Sequence, residues 1–321
     1  MSNNDCFLGI DFGGTFVKLA LIGSDGRIFK KRSFPTSEYG TKEALINELK
    51  RMIVLLVREN KIVLKGIGIG VPGQVDYEKG LIHNLTNVKG WKKVPLKGIL
   101  SKHFQVPVSM DNDGNAAALG EMLWGAAKSY SNILAVTLGT GVGGGIIING
   151  EVYRGAGFVA GEIGHMVIDM NGPACNCGSN GCLESFVGNR AIVDYAINKV
   201  KNNKKAMLIK MCKGDFKSIT PKLIDEAARK GDVLAISIWE DIASILGVGL
   251  SNLVNILNPQ IIVIGGGVSK TGKFFFDRIK STIKEKALKA NLAGLKVVRA
   301  KFVDDAGVVG SAALIKREIE G

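Results

Sequence analysis

The chain has 321 residues, 46% hydrophobic and 22% charged, enough to bury a substantial core and to form two domains. Its net charge of +13 invites a nucleic-acid or membrane-surface role, but the excess is shared by the residues before and after position 112, and the densest run, Lys201 to Lys213, carries no interleaved aromatics, so neither partner is expected. The longest apolar stretches, such as Ile53 to Val57 and Ile261 to Ile264, fall far short of the roughly 20 residues that cross a bilayer, so no transmembrane helix is expected, and Met1 to Asp5 lacks a basic leader, which together point to a cytoplasmic protein.

Phe7 to Ile10 reads as a short strand, Phe16 to Ile22 as a second ending at Gly23 and Gly26, and Arg27 to Phe34 as a third, so the chain opens as a meander. Leu45, Leu49, Met52, Ile53, Leu56 and Val57 recur at helical spacing, and Gly66 to Val71 follows as a buried strand closed by Pro72 and Gly73. Val106 to Met110 is a further strand and Asn115 to Ala127 an alanine-rich helix. Ile133 to Leu138 and Gly144 to Ile148 read as strands paired around a glycine-rich turn. They repeat the opening hairpin and hint at internal duplication. Lys201, Lys204, Lys205, Lys210 and Lys213 form a solvated face between candidate helices.

The last third is more helical. Leu234 to Leu257 predicts one long helix stopped at Asn258 and Pro259, and Ile261 to Ile264 a buried strand running into Gly265, Gly266 and Gly267. A helix around Phe274 to Ala287, a strand at Leu295 to Arg299 and a closing helix from Gly307 complete an α/β pattern. The expected division is a small domain over 1–112 and a larger one over 113–306, with the closing helix 307–321 packing back on the first.

Four constellations carry chemistry. Asp11-Phe12-Gly13-Gly14-Thr15 places two glycines and a hydroxyl after a strand, where backbone N–H groups can approach phosphate oxygens and Asp11 can hold a metal ion or its water; a plain β-turn would carry the same residues. Leu138 to Gly145 holds five glycines in seven positions, a density that packing does not require. Gly265 to Gly267 would let a flat nucleoside lie against the backbone, or make a tight strand-to-helix turn. The fourth is the most specific. His165, Cys175, Cys177 and Cys182 give H-x9-C-x-C-x4-C, one imidazole and three thiolates, the donor set of a closed tetrahedral zinc site. An odd total of five cysteines also argues against a disulfide framework, and Cys175 and Cys177 lack the spacing of a redox pair.

These motifs, with Val71-Pro72-Gly73, Asn112-Asp113-Gly114-Asn115 and Gly161-Glu162-Ile163-Gly164-His165, resemble the ROK family (repressors, open reading frames and kinases) over nearly the whole chain. The resemblance implies the two-domain actin-like, ribonuclease-H-like ATPase fold, with sugar and ATP in a cleft between the domains. It implies that Asp11, Gly13, Gly14, Thr15, Lys18, Thr140 and Gly141 meet the ATP phosphates and Mg2+, and that Gly265, Gly266 and Gly267 meet the adenosine. Asp113 matches the family's general base, although the position alone would suit a helix N-cap. Asn112, Glu162, His165 and Glu184, with the backbone near Gly73, match the sugar-binding positions. Zn2+ on the histidine-cysteine loop would order Glu162 and Glu184 rather than act as a Lewis acid.

Pro72 to Asp76, Asn84 to Trp91 and Asn171-Gly172-Pro173 look most like the family's bacterial glucokinases, so phosphorylation of glucose at its 6-hydroxyl is expected. N-acetylmannosamine, N-acetylglucosamine and fructose kinases share the same residue types. Gly114 and Phe158 depart from the family's usual residues, both at the edge of the implied pocket. The family's repressors carry a helix-turn-helix before the first phosphate loop, and only ten residues precede Asp11, so an enzyme is expected in place of a DNA-binding regulator. Relatives are commonly homodimers or homotetramers, and the same is expected here.

Overall fold

In the computed structural model, which describes residues 5–84, 91–201, 203 and 206–320, the first apolar runs form the meander. Strands β1 (Asp5–Phe12), β2 (Phe16–Gly23) and β3 (Ile28–Pro35) pair antiparallel, with Asp11 opposite Lys18 and Val17 opposite Phe34. Helix α1 (Lys42–Asn60) begins at Thr41, whose hydroxyl accepts the Ala44 N–H, and stops at Lys61 in the left-handed region. Its buried Leu45, Leu49, Met52, Ile53 and Leu56 share one core with Leu8, Ile10, Leu19 and Ile69.

Strand β4 (Val63–Val71) pairs parallel to β1. The chain then makes a small sheet of β5 (Val75–Asp76), β6 (Leu81–Asn84) and β7 (Lys92–Val94), then α2 (Leu96–Phe104), before β8 (Val108–Asn112) pairs parallel to β4. Helix α3 (Asp113–Trp124) starts two residues earlier than its alanine pattern predicts, because Asn112 caps it. The small sheet and α2 are additions to the elements read from sequence. Residues 85–90, within the Asn84 to Trp91 segment, lie outside the described residues, as do Lys204 and Lys205 of the lysine run.

The second sheet comprises β9 (Ile133–Leu138), β10 (Val142–Ile148), β11 (Glu151–Val152), β12 (Ile261–Gly265) and β13 (Lys296–Arg299). Its order, β11-β10-β9-β12-β13, repeats that of the first, β3-β2-β1-β4-β8: third, second, first, fourth, fifth in chain order. This repetition supports the duplication suggested by the two hairpins.

Between β11 and β12 lie α4 (Glu184–Val187), α5 (Asn189–Lys201), α6 (Met207–Met211), α7 (Pro221–Arg229) and α8 (Val233–Leu257); α9 (Lys273–Lys286) and α10 (Ala306–Glu320) follow. Helix α8 has 25 residues and is long and apolar enough to cross a bilayer, although Glu240 and Asp241 interrupt its apolar run in sequence. Its Ala235, Ile238, Trp239, Ile242 and Leu246 are buried, and it packs on α5, α7 and α9. Burial of one long face is the behaviour of a core helix.

The division by compactness departs from the boundary expected near residue 112. One unit holds 1–135, 145–161 and 304–321; the other holds 136–144 and 162–303. Helix α3 stays with the first unit because it lies against α10, where a Cβ on Gly120 would stand 2.9 Å from the Gly310 Cα. Two small residues let the helices approach this closely, and α10 also lies on β1 and β4.

Candidate active site

In the first unit, the turn from β8 into α3 presents Asn112 and Asp113. Asn112 Oδ1 accepts the Gly114 and Asn115 N–H groups at 2.8 and 3.4 Å, so the capping task falls to Asn112 and not to Asp113. Asn112 Nδ2 donates to the Gly73 carbonyl at 3.3 Å, and Gly73 takes φ +83, a conformation that favours glycine. Gly73, Asn112 and Asp113 are therefore brought together by β4, β8 and α3. Asp113 Oδ1 accepts the Gly114 N–H at 2.9 Å.

The Asp11 to Thr15 turn joins β1 to β2 in the same unit. Thr36 clamps it, its hydroxyl donating to the Gly13 carbonyl at 3.1 Å and its N–H to the Thr15 carbonyl at 2.9 Å. Lys18 Nζ stands 3.4 Å from Asp11 Oδ2. Burial raises the Asp11 pKa above its ordinary value, and Lys18 opposes the rise without cancelling it. A carboxylate in this state gains from a further cation beside it.

In the second unit, the loop from Ile163 to Cys182 folds on itself through short polar contacts in place of an apolar core. Cys175 N–H donates to Ser179 O at 2.7 Å, Gly181 N–H to Pro173 O at 2.7 Å and Leu183 N–H to Met166 O at 2.9 Å. The ligand atoms of His165, Cys175, Cys177 and Cys182 all lie within 4.8 Å of one another. Cys175 Sγ is 3.7 Å from His165 Nδ1, and Cys177 Sγ is 3.6 Å from Cys182 Sγ. Zn–S and Zn–N bonds of about 2.3 and 2.0 Å give a tetrahedron with edges of about 3.5–3.8 Å, so these side chains fit zinc. Burial and the neighbouring thiols push the Cys182 thiol up to about 12, whereas the Ser179 N–H holds the Cys177 thiol below its ordinary value. The opposite edge of the imidazole, His165 Nε2, lies 3.9 Å from Glu162 Oε2.

Glu184 opens α4, two residues after Cys182. Its Oε2 accepts the Val142 N–H at 2.9 Å, and a Cβ on Gly141 would stand only 2.3 Å from that oxygen, so a side chain there would push the carboxylate from this position. Gly139 is tied to α5 through the Asn189 N–H, which donates to its carbonyl at 2.9 Å. Thr140, Asn176, Glu184, Ser185 and Arg190 border a cavity of about 280 Å³. At the end of β12, Gly266 has φ +77 and a Cβ there would stand 2.2 Å from the Leu138 carbonyl, so its glycine is explained by strand packing. Gly267 has no such neighbour within 4 Å.

Asp111, Arg154 and Tyr77 form a group that emerges only in the structure. Asp111 is buried, and its Oδ2 receives Arg154 Nε and Nη2, each at 2.8 Å. Tyr77 lies over the Arg154 guanidinium, 3.8 Å from ring centroid to Cζ. Phe158, flagged as unusual in sequence, adopts φ +60 and its ring stands 6.5 Å from that of Tyr77.

A profile of the ROK family matches residues 7–318. A glucokinase of Halalkalibacterium halodurans is 38% identical over 316 residues, spanning 97% of this chain and 95% of that one. A xylose repressor of Caldicellulosiruptor bescii is 34% identical over 311 residues, 96% of this chain and 77% of the repressor. Among solved structures, a ROK family glucokinase from Streptomyces griseus in complex with glucose and AMPPNP is similar with a TM-score of 0.82 and 32% identity, covering 97% of this chain and 99% of that one. The repeated α/β sheets are those of the two-domain actin-like ATPase fold, and the chain belongs to the ROK family.

Proposed function

We propose that this chain is an ATP-dependent hexose kinase that transfers the γ-phosphoryl group of ATP to the 6-hydroxyl of glucose. The observation that carries the reading is the hydrogen bond from the Val142 N–H to Glu184 Oε2. It ties a carboxylate suited to sugar hydroxyls to a glycine hairpin suited to phosphate, so the two recognition tasks of one reaction share one bonded unit. Similarity to glucokinases along nearly the whole chain supports the same substrate.

Asp113 takes the proton of the 6-hydroxyl as its oxygen attacks the γ-phosphorus. The bond from that phosphorus to the β,γ-bridging oxygen breaks, and ADP leaves with the electron pair. Glu162, Glu184 and His165 hold the sugar hydroxyls, and Asn112 offers the Nδ2 hydrogen that Gly73 does not use. Gly13, Gly14, Thr15, Lys18, Thr140 and Gly141 meet the phosphates, with Gly265, Gly266 and Gly267 against the adenosine. Asp11 would hold Mg2+ or one of its waters, and the ion when bound neutralises phosphate charge. His165 Nδ1 and the three cysteine thiolates would hold zinc as a closed structural site, and the ion when bound would favour the tautomer with its proton on Nε2, which lies 3.9 Å from Glu162 Oε2.

Steady-state ADP release with MgATP and a panel of glucose, mannose, fructose and the N-acetylated hexosamines tests the reading. The highest kcat/KM is expected for glucose. Preference for an acetamido sugar overturns the choice of hexose, and no ADP above background with any sugar overturns the kinase. Similarity to xylose repressors favours a second reading, a sugar-responsive regulator, for which sugar-dependent retardation of DNA without ATP consumption would be the signature.

A further inference from the structure

We infer that Arg154 is a positioning residue for the proposed reaction, setting the turn that presents Asp113 through its ion pair with the buried Asp111. The inference rests on the kinase reading given above. Arg154 stands just beyond β11 and is 43 residues from Asp111 in sequence. Its Nε and Nη2 both meet Asp111 Oδ2 at 2.8 Å, with the carboxylate side chain only 4% exposed and the arginine 20%. The other carboxylate oxygen, Oδ1, accepts the Asn112 backbone N–H at 2.7 Å and Asn115 Nδ2 at 3.0 Å. These two donors bracket Asp113 in the chain. Rotation of the Asp111 carboxylate would therefore move both sides of the catalytic turn at once.

Fold support alone accounts poorly for this arrangement. A buried ion pair carries a desolvation penalty that packed apolar residues of the same volume would avoid, so its energetic return is in geometry more than in stability. Arg154 is itself held from three directions. Tyr77 stacks on the guanidinium, Nη1 donates to the Val152 carbonyl at 3.4 Å, and its own carbonyl accepts the Ala160 N–H at 2.9 Å. That last bond closes the segment that runs on to Glu162. One residue thus fixes the turn carrying the base and the start of the loop carrying a sugar ligand. A cavity of about 280 Å³, bordered by Tyr77, Ser109, Glu151, Arg154 and Arg317, adjoins the guanidinium.

The cavity supplies the test. Arg154→Ala should lower kcat by about 10²-fold, as misplacement by about 1 Å can do, while KM for glucose and ATP stays within about threefold. Guanidinium chloride at non-denaturing concentration should restore part of kcat by occupying the vacated place, with no rescue of Asp113→Asn. Arg154→Lys, which keeps the charge and loses the fork, should show a smaller loss of kcat at a melting temperature close to the parent's. A parent that phosphorylates no sugar overturns the kinase reading and this inference with it. An active parent with Arg154→Ala folded and at parental kcat, or with its loss confined to KM or unrescued by guanidinium, overturns the inference alone. If Arg154→Ala does not fold, a folded Arg154→Lys with parental kcat assigns the residue to the fold and overturns it as well.

Discussion

The turn at Asp111 to Asn115 and the loop from Glu162 to Glu184 present the proposed catalytic and sugar-binding groups by opposite means. The turn joins a sheet strand to a helix, and its polar atoms are fixed by a buried carboxylate, a helix cap and the Arg154 fork. The loop has little apolar interior; His165, Val167, Asp169, Met170 and Cys177 are exposed, and its backbone is held by short turns and by single bonds across the loop, such as Leu183 N–H to the Met166 carbonyl. A polar, exposed loop offsets little of its conformational entropy by burial, and a metal on His165 and the three cysteines, as proposed, would supply further order. The difference teaches that the turn should tolerate loss of metal and the loop should not.

The largest effect is expected at the turn. Asp113→Asn should lower kcat by about 10²- to 10⁴-fold with glucose affinity by calorimetry little changed, since a general base acts on the transition state. Near-normal turnover would remove Asp113 from its role. Chelation of zinc should next abolish glucose binding and expose the amides of 163–183 to hydrogen exchange, while β1, β4 and α3 keep their protection. Metal-free protein with full glucose affinity and an unaltered exchange pattern would erase the contrast between the regions. Glu184→Gln keeps an acceptor for the Val142 N–H but removes the charge; KM for glucose should rise about 10- to 100-fold at unchanged melting temperature.

The smallest effect concerns Asp11. Because burial raises its pKa above 3.8, the folded protein holds this proton more tightly than the unfolded chain does. Its contribution to stability is therefore present at low pH and is lost as pH rises through the folded pKa. Asp11→Asn should melt above the parent at about pH 7 and converge with it near pH 3, while losing activity. A variant that melts below the parent at neutral pH would contradict the sign.

The legible features were those whose partners are close in sequence. The Cys175 and His165 donors are ten residues apart, and the apolar strands announce themselves by runs closed with Gly or Pro. The links from Glu184 to Val142 and from Arg154 to Asp111 span 42 and 43 residues, and an isolated Arg or Asp carries no sign of its partner. The packing of α3 on α10 is hidden for a related reason: Gly120 and Gly310 look unremarkable in periodicity, yet their lack of side chains is what lets the two helices approach. Strands β5, β6 and β7 are only two to four residues long, too short for alternation to show.

The most direct measurement is phosphorus and carbon NMR of the product formed from glucose and MgATP by zinc-replete protein. One glucose 6-phosphate formed for each ADP released is the predicted result. A phosphate ester at another hydroxyl would contradict the assigned position, and ADP release without any sugar ester would contradict the hexose kinase itself.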